Sequence, residues 1–253
     1  MRKTKLSKFY RQKNRLVYHP RKDLLADRKG IKRLISFDDR FLTVARKLER
    51  LIKSFSKKKI KLLDIGVGDA VYESLLSKKS QEMTQVYGID ISKEQLKRGK
   101  KYLKEAKVID LNSEKIPYKD EFFDIVIASE ILEHVFYPDR VLAEASRVLK
   151  KNGYLILTYP NSGSLQLRLS LLFIGSSPLL NYPANREHIR FFNKANIIKM
   201  VKGLEIVQYR GLGSFLFGKW NFPFKIITPR VLQVFGNKFL PNLALGNLLI
   251  FKR

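Results

Sequence analysis

The chain has 253 residues, 45% of them hydrophobic, and carries 50 Lys+Arg against 23 Asp+Glu for a formal net charge of +27. That hydrophobic content builds one sizeable globular core and excludes a disordered chain, and the lack of cysteine removes disulfides, thiolate catalysis and Cys-ligated zinc together. The charge divides as +16 over residues 1–60, +4 over 61–205 and +7 over 206–253, so a near-neutral middle has basic flanks suited to nucleic acid, a phospholipid surface or a phosphorylated substrate.

Residues 1–35 read as an irregular basic arm. Its opening, "MRKTKLSKFYRQKNRL", lacks the apolar run of a secretory leader. The longest uncharged run, Leu169 to Asn185, is interrupted by Gly175, Pro178 and Pro183 and is too short and broken to span a bilayer. A cytoplasmic location is expected, with peripheral contact to an anionic membrane left open. "SFDDRFLTVARKLERLIK" then predicts an amphipathic helix, with Ser36 and Asp39 placed as a capping box and Phe41, Leu42, Ala45, Leu48, Leu51 and Ile52 on one face.

From Ile60 strands and helices alternate. "IKLLDI" predicts the first strand, "AVYESLLSK" a helix, "QVYGID" the second strand, and "SKEQLKRGKKYLKEA" a helix that Ser92 and Gln95 could cap. "KVIDL" and "FFDIVIAS" predict the third and fourth strands. A helix starting at Pro138 follows, then an Asn-Gly turn and a fifth strand in "YLILTYP". "NKANIIKMVKG" predicts a helix, and "LEIVQYR" and "LALGNLLIFKR" the last two strands. The pattern is that of an α/β protein: a Rossmann-like, seven-stranded, mostly parallel sheet with helices on both faces. The organisation expected is a basic arm and helix over residues 1–59, and one α/β domain over 60–253 with lid insertions at 161–192 and 211–241.

In such a sheet, ligands bind beyond the carboxyl ends of the strands. The first strand ends at Asp64-Ile65, which puts Gly66-Val67-Gly68 at that edge. A dinucleotide fingerprint wants Gly or Ala where this chain has the β-branched Val71, which argues against a diphosphate. Asp64 ahead of the glycines suits a cationic ligand better. Asp90 closes the second strand, where a carboxylate can accept both hydroxyls of a ribose, and Asp110 closes the third, where it would face an exocyclic amine. Carboxylates facing an ammonium, a ribose and an adenine describe S-adenosylmethionine.

The stretches "LLDIGVGDA", "VYGIDIS", "VIDLNSEKIPYKDEFFDIVIASEILEHV" and "RVLKKNGYLILTYPN" resemble the successive motifs of class I S-adenosylmethionine-dependent methyltransferases. The likeness runs from about Ile60 to Tyr209 and is nearest the ubiquinone-biosynthesis and MetW-like branch. "YPNSGSLQLRLSLLFIGSSP" with "REHIRFFN" is similar to the lid region of that branch. The resemblance implies that Asp64, Gly66 and Gly68 hold the methionine end, Asp90 with Ile91 the ribose, and Asp110 with Leu111 the adenine, with Ser129 closing the pocket. The family often has a third glycine where Ala70 stands, so a slightly tightened pocket is expected.

Methyl transfer is an in-line displacement that needs alignment and desolvation, and a hydroxyl or amine acceptor also needs a base. His188, flanked by Arg186 and Arg190, is the first candidate and His134 the second. With His19 they are the chain's three histidines, scattered without metal-ligand spacing, so no metal is expected. Aromatic and basic residues interleave from Phe215 to Lys225. That pattern suits an interfacial anchor, a stacking platform or a satellite core over the acceptor pocket. The leading expectation is a methyltransferase for a small, anionic metabolite, glycan or lipid-linked acceptor. The alternatives are an RNA methyltransferase using the basic arm, which lacks an "NPPY"-type tetrapeptide where "SEIL" stands, and a non-catalytic membrane-surface binding protein.

Overall fold

The computed structural model describes residues 40–56, 59–175, 188–213 and 230–253. The predicted caps at Ser36 and Asp39, the basic arm, Arg186 and the aromatic stretch from Phe215 to Lys225 lie outside those residues. Seven strands form one mixed sheet: β1 (Ile60–Ile65), β2 (Thr84–Asp90), β3 (Glu105–Val108), β4 (Phe123–Ser129), β5 (Leu149–Pro160), β6 (Glu205–Leu212) and β7 (Gly246–Lys252). Their order is β3-β2-β1-β4-β5-β7-β6. Strands β1, β2 and β3 pair in parallel, while β7 runs antiparallel to both β5 and β6. The order reverses beside β1, the place where such sheets take their ligands.

The chain divides into two compact units. One ends at Ile127 and takes up Val148–Gly153; the other comprises Ala128–Arg147 and Tyr154–Arg253. In the first, Ile60, Leu62, Leu63 and Ile65 of β1 are all fully buried, as a continuous apolar strand covered on both faces must be. Helix α1 (Arg40–Ser54) turns Val44, Ala45, Leu48 and Ile52 inward at the 3–4 residue spacing of an amphipathic helix. Its Phe41 ring stands 5.6 Å from that of Tyr72. Two short helices follow the glycine turn, α2 (Val71–Ser74) and α3 (Lys78–Met83), in place of the single helix expected over 70–78. Ser77 interrupts them: its hydroxyl caps α3 by accepting from the Ser80 amide.

Helix α4 (Lys93–Gly99) is capped by Ser92 as expected, but it gives way to a 3-10 turn over Lys100–Tyr102 and does not reach Ala106. The Lys104 amide already donates to Val86 O at 2.7 Å, so the third strand begins at Glu105 and is over by Val108, two residues earlier than its apolar pattern predicts. Asp110 therefore sits in the turn after the strand, its carbonyl accepting from the Ser113 and Glu114 amides.

In the second unit, α5 (Pro138–Val148) starts at its proline as predicted. Helix α6 (Leu165–Ile174) lies in the first expected insertion, between a Ser164 cap and Gly175 at φ 64°. Helix α7 (Lys194–Met200) carries a capping box between Asn193 and Asn196, and α8 (Arg230–Phe239) precedes the last strand. Among the described residues no helix is long and apolar enough to cross a membrane.

Candidate functional site

The turn after β1 is built from three left-handed residues at alternate positions: Gly66 at φ 75°, Gly68 at 54° and Ala70 at 57°. Glycine reaches that region without penalty, and alanine does so at a cost of about 1–2 kcal/mol. Ala70, the departure from the three-glycine pattern, thus keeps the backbone shape of a glycine and is fully buried. The turn is tied to β2, since the Gly66 and Val67 amides donate to Ile89 O at 2.8 and 3.1 Å.

Asp90 joins the turn to the next helix. Its Oδ2 accepts from the Gly68 amide at 2.9 Å and its Oδ1 from the Ser92 amide at 2.7 Å. Ile91 and Leu111 are both partly exposed apolar residues, each directly after its aspartate. Asp110 is half-buried, with its Oδ1 accepting from the Asn112 amide at 3.0 Å and from Asn112 Nδ2 at 3.2 Å.

Asp64 departs from the simple picture of a carboxylate waiting for an ammonium. It is 2% exposed and faces Glu73 of α2, which is 1% exposed. Beside the Glu73 carboxyl stand its own backbone N–H and the Asp64 carboxyl, which can donate only when the pair carries a proton. Burial first, then the Glu73 charge and that of Asp90, raise Asp64 well above the usual carboxylate range, and burial pushes Glu73 up to about 7. Sequence reading missed Glu73, because a charged residue in a short helix reads as solvent-facing. Nearby, Asp69 is also buried, and its Oδ1 is held by Arg98 Nε at 3.0 Å and Nη2 at 2.9 Å.

Ser129 belongs to the second unit. Its hydroxyl is 2.7 Å from Thr158 Oγ1, which in turn donates to Glu130 Oε1 at 3.0 Å. Glu130, at φ 51°, directly follows β4. A 3-10 turn, Leu132–His134, comes next. Here the expectation of scattered histidines fails in space. The His134 and His188 rings are 4.9 Å apart and edge-to-face, and both approach Glu133, which is buried. Glu133 O accepts from the Ile189 and Arg190 amides at 2.9 and 3.3 Å, which docks the His188 segment onto the turn. Arg190 adds a clamp through Nη2 to Phe136 O at 3.1 Å.

Residues 63–157 match a family model described as a methyltransferase domain. The chain has the fold of the class I S-adenosylmethionine-dependent methyltransferases.

Two uncharacterized proteins of Methanocaldococcus jannaschii are similar to this chain, one 30% identical over 59% of it and 62% of its own length. The other is 37% identical over 53% of this chain and 56% of its own length. A mitochondrial ubiquinone biosynthesis O-methyltransferase of Candida albicans is 32% identical over 54% of this chain and 43% of its own. The chain thus spans less than two thirds of these curated relatives. Among solved structures, a SAM-dependent methyltransferase of Archaeoglobus fulgidus shares the fold with a TM-score of 0.57 at 18% identity, covering 84% of this chain and 94% of that one. One from Aquifex aeolicus does so with a TM-score of 0.53 at 18% identity, covering 93% and 99%.

A methyltransferase domain of this fold implies S-adenosylmethionine as methyl donor, and the first unit of the chain fits it. A Cβ added at Gly68 would meet only the Gln95 side chain, at an ordinary contact distance of 3.9 Å, so the backbone of the turn is not crowded there. Behind the turn stand the buried Asp64 and Glu73 carboxyls, suited to a cation.

Proposed function

We propose that this chain transfers a methyl group from S-adenosylmethionine to a small, anionic acceptor: a metabolite, a glycan or a lipid-linked intermediate. The observation that carries the donor half is the left-handed turn at Gly66 and Gly68, latched to Asp90 at the point where strand order reverses. Bound S-adenosylmethionine supplies an electrophilic methyl group on a cationic sulfonium. In this reading Asp64, with Glu73 behind it, takes the ammonium of the methionine end. Asp90 with Ile91 takes the ribose, and Asp110 with Leu111 takes the adenine, the Asp110 carboxylate accepting from its amine. His188 and His134 meet the acceptor.

Two features support an anionic, partly apolar acceptor. Residues 1–60 carry +16 and residues 206–253 carry +7. The last turn of α6, in the first insertion, leaves Leu171, Leu172, Phe173 and Ile174 between 50% and 74% exposed, an apolar surface on which a lipid-linked acceptor can rest.

Calorimetric titration with S-adenosylmethionine and with its demethylated product tests the donor half, with saturable heat expected from both. Labelled donor incubated with phosphorylated metabolites, glycans and lipid-linked intermediates tests the other half. Absence of heat with both nucleosides refutes the reading. Label entering only RNA, with binding that weakens steeply with salt, replaces the acceptor class by nucleic acid.

A further inference from the structure

We propose that Glu73 is a specificity-determining residue of the donor site: it shares one proton with Asp64, and a ligand ammonium arriving at Asp64 displaces that proton. The identity of the ligand as S-adenosylmethionine rests on the reading above; the shared proton does not.

Asp64 is the penultimate residue of β1 and Glu73 lies in α2, so the glycine turn joins them. They are 2% and 1% exposed and face each other. Asp90, from β2, adds a third negative charge. Of the charged groups on the neighbouring elements, Asp69 is engaged by Arg98 of α4 at 2.9 and 3.0 Å, and Glu49 of α1 by Lys53, Ser77 and Ser80. Arg40 of α1 lies over the Phe41 ring at 5.3 Å. Among the described residues no lysine, arginine or histidine pairs with either carboxyl of the Asp64–Glu73 pair.

Two carboxyls held together, out of water and without a cation, cannot both ionise, so one proton stays between them. Burial raises both groups, Asp64 well above the usual carboxylate range and Glu73 to about 7. The proton belongs to the pair and not to either residue.

A shared proton lets the site read the charge of its ligand. With the proton the pair carries one negative charge, and without it two. An ammonium beside Asp64 favours the doubly charged form: one O–H bond of the pair breaks, its electrons stay on oxygen and the proton passes to the buffer. Binding a cation therefore releases a proton, and its affinity falls as pH drops through the window in which the pair becomes protonated. A ligand without that cation gains nothing from the second charge and leaves the proton in place. Glu73 thus acts through Asp64, setting how strongly the site prefers a cationic nucleoside over a neutral one.

The test is calorimetric titration of the full chain with S-adenosylmethionine at about pH 6, run in MES and in imidazole buffer, whose different ionisation heats count the protons released. More than about half a proton should leave per donor bound, and affinity should rise about tenfold from about pH 5.5 to about pH 7, given a Glu73 pKa of about 7. 5′-Methylthioadenosine, which lacks the ammonium, should bind more weakly and without proton release. Glu73→Gln keeps the size of the side chain and removes its proton equilibrium. The donor should still bind to that variant, with proton release cut to less than about half of the wild-type value and affinity nearly flat over the same pH range. Donor heat that is equal in the two buffers overturns the shared proton and leaves the donor reading standing. No heat at all with S-adenosylmethionine refutes the donor reading and the displacement with it. Proton release that is unchanged in Glu73→Gln, or equally large with 5′-methylthioadenosine, assigns the proton elsewhere and overturns the proposal.

Discussion

Asp90 holds two backbone amides at once, one in the glycine turn and one at the start of α4. Each amide left without an acceptor costs about 1–3 kcal/mol if it stays dry. Asp90→Ala should therefore lower stability in urea by roughly 2–4 kcal/mol and abolish measurable heat with S-adenosylmethionine. Asp90→Asn keeps one carbonyl oxygen and should fall between the two; an alanine variant as stable as wild type would show that the latch does not matter. Glu73 makes a different kind of prediction. Burial raises its pKa from 4.5 to about 7, so between those values the folded chain binds more protons than the unfolded one. Its contribution to stability is then largest at the acid end, falls as pH rises through that window and is flat above it. Glu73→Gln removes the penalty: relative to wild type the variant should be stabler by roughly 2 kcal/mol more at about pH 8 than at about pH 5. Equal differences at the two pH values in urea titrations would contradict a proton shared with Asp64.

At the level of elements, β2 and the glycine turn are fitted to each other through Gly88. A Cβ there would stand 2.7 Å from Val67 Cγ1 and 3.0 Å from Leu103 Cδ1, and Val67 lies between the two glycines proposed to hold the donor. Gly88→Ala should cost about 1–3 kcal/mol of stability through overpacking. It should also weaken donor binding about tenfold, read by thermal melting and calorimetry, although residue 88 is itself remote from the ligand. β1 and β2 were readable from the short apolar runs at their centres, because the middle of a strand covered on both faces is mostly apolar. β3 was misplaced by two residues because its exposed and half-buried positions alternate, giving local pattern little purchase. The helix expected over 93–106 ended at Gly99, where an added Cβ would stand 3.0 Å from Asp69 C and 3.1 Å from Ala70 Cβ. That termination is set by packing against the turn, which no helical periodicity encodes.

For the whole molecule, the proposed donor residues fall between Asp64 and Leu111, whereas the largest block of charge falls in residues 1–60. Removing residues 1–35 should leave the dissociation constant for S-adenosylmethionine unchanged within about twofold, while reducing retention on an anionic matrix and its sensitivity to salt. A large loss of donor affinity in calorimetry would show that the arm belongs to the donor site.

The fold class and the placing of Asp64, Gly66, Gly68 and Asp90 at the ends of the first two strands were legible in the sequence alone, since strand ends follow from short apolar runs. Tertiary structure decided the rest. It set Glu73 against Asp64 in a helix too short for its polarity pattern to mean exposure, and it brought His188 to Glu133 and His134 through backbone hydrogen bonds. Contacts between residues far apart along the chain leave no periodic trace in it, because they depend on which loops the sheet order carries to one place.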